Sequence, residues 1–115
     1  MIKINEELLI RNYKEIQKEC LLNGVLIPSL LLNYLNSIPK ENKLSLREIE
    51  EIKSKLSDEI ISKFEQESYN RDKEEYTIYH ETRGLKKRKE LIKELQEQEF
   101  NEWLKNFPQY NDLII

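Results

Sequence analysis

The single histidine, His80, stands in the run His80-Glu81-Thr82-Arg83-Gly84. A zinc-peptidase helix needs a second histidine one turn on, four residues later, so that both rings reach one ion. Gly84 occupies that place. One imidazole among scattered carboxylates is a poor zinc ligand set, so His80 reads as a surface or hydrogen-bonded residue. The single cysteine, Cys20, needs a base beside it to act as a nucleophile, and His80 is the only imidazole on offer. Its place on the apolar face of a predicted helix makes it a buried, inert thiol. Two isolated glycines, Gly24 and Gly84, cannot build a loop that cradles phosphate. Carboxylate pairs are frequent, but with 36% of residues charged they are expected to be solvated helix faces. No catalytic residue, metal or cofactor is expected, and the chain does not read as an enzyme.

Two features point instead to binding. Tyr69, Tyr76 and Tyr79, with Arg83, recur at steps of seven, three and four, along one side of a continued helix. They are out of phase with the apolar stripe before them. Tyrosine and arginine dominate interface hot spots, and Trp103 and Phe107 offer a second aromatic surface near the C-terminal end. The expected partner is another protein, and the expected role that of an adaptor, inhibitor or regulator. A second reading rests on Arg83, Lys86, Lys87, Arg88 and Lys89, five cations in seven residues. These suit phosphates, with Tyr76 and Tyr79 available to stack on bases. Against it, Glu90 is placed to pair with Lys86 or Lys87 on the same helix. A third reading is a homodimer joined through the same stripes.

Composition narrows the setting. The net charge of −3 gives no surplus of cations for non-specific attachment to DNA or an anionic membrane. One cysteine allows no internal disulfide, and the acidic N-terminus is unlike a signal peptide. A reducing, cytoplasmic setting without membrane insertion is therefore expected. Alanine is absent, while Ile, Lys and Asn are abundant, a bias expected of a genome rich in A and T and compatible with a mobile element. Without alanine, helices must pack at the wide end of the usual 8–10 Å range.

The elements that must carry these residues are helical. Asn5 caps a first helix over 6–22, with Leu9, Tyr13, Ile16 and Cys20 on one face and Gly24 as its stop. Pro28 opens a second helix, 28–37, apolar on several faces and expected to be the most buried. Ser45 and Glu48 form a capping box, flanked by the staple of Leu44 with Ile49. From it Ile49, Ile52, Leu56, Ile60 and Phe64 predict one straight helix to residue 64. Past Phe64 the stripe turns by about 140°, so the helix either runs on with a new face or breaks near 65–72. Gly84 separates a last helix over 85–106, ended by Pro108. The fold expected is all-α: a small bundle of four helices, or five, with a long third helix. A single domain over 1–107 is followed by a tail, 108–115, either docked or free.

Overall fold

The computed structural model describes all 115 residues, and it is all-helical. Its helices are α1 (Glu6–Asn23), α2 (Ser29–Leu32), α3 (Leu46–Ser54), α4 (Asp58–Glu81) and α5 (Leu85–Asn106). Short 3-10 turns lie at Leu35–Ser37, Lys40–Asn42 and Pro108–Leu113. No helix is long and apolar enough to cross a membrane.

α1 forms where its cap and stripe place it. The Asn5 side chain accepts from the Leu8 N–H, and Leu9, Tyr13, Ile16 and Cys20 are buried. Gly24 ends the helix at φ +66°, with the Val25 N–H donating back to the Cys20 carbonyl. The position needs glycine twice over. A Cβ there would lie 3.1 Å from Ile60 Cγ2 and 3.2 Å from the Ile60 carbonyl oxygen, because α4 passes directly across it.

The second helix is shorter than its apolar run suggests. It is split into α2 and the turn at Leu35–Ser37, and the extended Ile38 before Pro39 closes the stretch. A run this short does not sustain a helix by itself. Packing decides, and it holds Pro28, Ser29 and Leu31 inside against α5.

The straight third helix is the main correction. The chain breaks at Lys55-Leu56-Ser57, ten residues before the expected change of face. The Ser57 side chain accepts from the Ile60 N–H, and Asp58 and Glu59 sit at the positive end of the new helix dipole. The signal was present as Ser57-Asp58-Glu59, inside a stripe whose spacing hides it. From Asp58 the helix then runs unbroken through 65–81, so the long helix is α4.

The C-terminal segment is docked, and it joins the core. Tyr110 and Leu113 are buried in the same cluster as Leu9, Tyr13, Phe100 and Trp103. The Asn5 N–H donates to the Leu113 carbonyl at 2.7 Å, and the Ile115 N–H to that of Lys3 at 2.9 Å. Trp103 stacks on Phe107 and Tyr110, with ring centroids 5.1 and 5.4 Å apart.

All of the fully buried residues fall in 4–44 and 100–113. Between them α4 and the first half of α5 make a hairpin through Thr82-Arg83-Gly84, with Gly84 at φ +88°. The radius of gyration, 15.1 Å, exceeds the roughly 13 Å of a compact chain this long. The hairpin is an arm.

Candidate binding surface

A half-buried polar node holds the arm to the core. Arg71 Nη2 donates to the Ile27 carbonyl and to Glu99 Oε1, both at 2.9 Å. The same Glu99 oxygen accepts from the Ser29 N–H at 2.7 Å, and Glu67 Oε2 accepts from that of Leu26 at 3.4 Å. The segment Val25–Pro28 has no helix to satisfy its backbone, so side chains of α4 and α5 do it instead. Arg71 and Glu99 look like ordinary charged residues in the sequence. Only the distant pairing of α4, α5 and this segment gives them their task.

Around that node α4 has two distinct sides. Ile60, Phe64, Glu67, Arg71 and Ile78 are half-buried toward the molecule. Asp58, Ser62, Glu65, Tyr69, Asp72, Tyr76 and Tyr79 are all exposed. Tyr69 and Tyr76 keep 62% and 63% of their surface, and Tyr79 half. His80 stacks on Tyr76 at 3.9 Å between centroids. Beside Tyr69 the outer face meets an open groove of about 720 Å³, lined by Leu21, Leu26, Leu56, Ile61 and Phe64. In the sequence Leu56 and Phe64 continue one straight apolar stripe from Ile49. Because α3 and α4 separate at Ser57, these residues instead flank a furrow that the chain does not fill.

Trp103 and Phe107 belong elsewhere. They are 4% and 7% exposed and closed over by Phe100, Tyr110 and Leu113. As partner-binding residues they are withdrawn: their spacing announces an apolar face, and the chain's own C-terminal turn covers it.

At the far end of the arm Arg83, Lys86, Lys87 and Lys89 are exposed. Arg88 is half-buried, its Nε donating to the Thr82 carbonyl at 2.8 Å. The expected pairing of Glu90 with Lys86 or Lys87 does not form. The ion pairs are Arg11–Glu7, Arg47–Glu51, Arg71–Glu99 and Lys105–Glu102, and none involves the five tip cations. These charges also stand at the positive end of the α5 dipole, with no side-chain cap.

Nucleophile chemistry has no support in the arrangement. Cys20 is sealed in the core, and burial pushes its thiol up to about 11, with a contact from the Trp103 indole offsetting part of the shift. His80 lies nine residues beyond Arg71, the α4 residue beside the Cys20 groove, or about 13 Å of helix rise. No three His, Cys, Asp or Glu side chains converge as ligands for a metal ion.

No known protein family, curated protein or solved structure matches the chain. The functional reading therefore rests on the surface itself.

Proposed function

We propose that this chain is a non-catalytic protein-binding adaptor, inhibitor or regulator whose contact surface is the outer face of α4. One observation carries the reading: three tyrosines stand exposed on one face of a 24-residue helix whose opposite side already packs on the molecule. Tyrosine supplies broad, stiff contact area at small entropic cost and keeps a hydroxyl for pairing. The groove of Leu26, Leu56, Ile61 and Phe64 adds apolar area beside that face, while Arg83, expected on the same helix side, stands exposed beyond the end of α4, after the extended Thr82. Tyr76→Ala with Tyr79→Ala is expected to abolish capture of the protein partner while leaving the helical circular dichroism unchanged. Capture that survives the double substitution removes the assignment of this face.

The unpaired cations of the tip favour a second reading, attachment to nucleic acid through Arg83, Lys86, Lys87, Arg88 and Lys89. It predicts retention that falls steeply with salt, because each neutralised phosphate releases counterions. A filter-binding titration at low ionic strength with no retention removes this reading.

A further inference from the structure

We infer that the groove beside Tyr69 takes up a basic amphipathic helix of another protein, its apolar stripe in the groove and its Lys or Arg edge along α4. The inference rests on the reading of α4 as a protein-binding surface and names the chemistry of what binds there. Charge is sorted around this helix. Lys63, Arg71 and Lys73 are its lysines and arginines, and each is turned away from the groove. Lys63 Nζ donates to the Asn23 carbonyl at 3.2 Å, and Arg71 joins Ile27 and Glu99. Lys73 lines a separate furrow with Leu95 of α5. The side that carries the groove and the tyrosines keeps Asp58, Glu65 and Asp72, all exposed and none in an ion pair. Lys53, on the α3 wall, is the one cation lining the groove, and the three acids outnumber it.

Such a surface selects cations twice. Carboxylates attract them directly, and an exposed tyrosine ring attracts them through its electron-rich face. The groove adds an apolar requirement. Leu21, Leu26, Leu56, Ile61 and Phe64 line about 720 Å³ of open space, which follows α4 from Ile61 to Asp72, about 16 Å of helix rise. A wholly polar polycation would leave that space to water, whereas apolar side chains entering it are favoured by losing theirs. The backbone decides the shape of the occupant. The chain's one β-bridge joins Ile4 to Ile114, and neither lines the groove, so no strand edge there can pair with an extended segment. A helix brings its backbone hydrogen bonds with it and needs only side-chain contact.

Three labelled synthetic peptides, each of about 18 residues so that a helix can form, test this against the full chain by fluorescence anisotropy. One has a leucine stripe and a lysine polar face, one has glutamate for each lysine, and one has glutamine for each leucine. The leucine–lysine peptide should bind, and weaken as salt is raised. The glutamate and glutamine peptides should each bind at least about tenfold more weakly. Glu65→Lys with Asp72→Lys should invert the order of the lysine and glutamate peptides, and the milder Glu65→Gln with Asp72→Asn should erase their difference. The same reversal at Glu90 and Glu94, which line no part of the groove, should leave the order unchanged. All four positions are exposed, so helicity is expected to hold. Preference for the glutamate peptide, equal binding by the glutamine peptide, or inversion from Glu90 and Glu94 as well overturns the inference. So does a leucine–lysine peptide that does not bind. Capture of another protein that still depends on Tyr76 and Tyr79 would then leave the binding reading in place and strike only the basic helix.

Discussion

The two ends of this molecule are built on different principles. In 4–44 and 100–113, apolar side chains are sealed and neighbouring segments share one cluster. From Ser45 to Glu99 not one residue is fully buried, yet α4 runs for 24 residues. Its length, its Ser57 cap and its Glu-rich composition sustain a helix that a short apolar segment could not. The core therefore supplies stability, and the arm supplies a regular exposed surface held by the Arg71–Glu99 node and by close passage over Gly24. Separating the two tasks lets the arm keep tyrosines in water without loss to the fold.

The strongest way to break this comparison is to truncate one aromatic at each end. Phe100→Ala, at a fully buried site, should cost about 3–5 kcal/mol in urea unfolding. Tyr76→Ala should stay within about 0.5 kcal/mol. Similar costs would mean that the arm shares the core's cohesion.

Next in size is the node between the two regions. Arg71→Met leaves Glu99 without its cation in a partly buried site, where the side chains are 17% and 26% exposed. The expected loss is about 1–3 kcal/mol, less than for a fully buried pair. Faster amide exchange should appear along α4 and the first half of α5, with α1 unchanged. Pairing the change with Glu99→Leu should recover part of the loss.

The smallest effect is titration of the core. Burial raises the Cys20 thiol from an ordinary 9 to about 11, and burial with the nearby Cys20 raises Tyr13 to about 12. The folded state then holds these protons more tightly than the unfolded chain does. Stability is intact below pH 9 and is lost as pH rises through these values. Cys20 accounts for about 1.4 kcal/mol of that loss by pH 10. Cys20→Val should flatten the decline between pH 8 and 10. No change in that slope would argue that the thiol is not shielded.

Much of this was legible in the sequence, and the failures share a cause. Asn5, Gly24, the capping box at Ser45 and the bounds of α5 are local matters, decided by chemistry within a turn or two. So is the tyrosine stripe, which stands out because it is out of phase. Periodicity announces an apolar face but does not say what covers it. Trp103 and Phe107 were therefore expected at a surface that the segment after Pro108 closes. The same ambiguity hid Ser57: an apolar spacing near 3.7 residues continues across the break and masks a new cap. Arg71 and Glu99 gave no signal, since their roles exist only once Val25–Pro28 lies between α4 and α5.

Gly24 has a mechanical consequence. From Ile60, where α4 crosses it, the helix extends some 30 Å to its far end. A few tenths of an ångström forced at that crossing would swing the tip several times farther, as a small push near a fulcrum moves the end of a long beam. The aim of the tyrosines thus depends in part on a missing methyl group at the end of another helix, and changing Gly24 to alanine should shift a surface that it never touches.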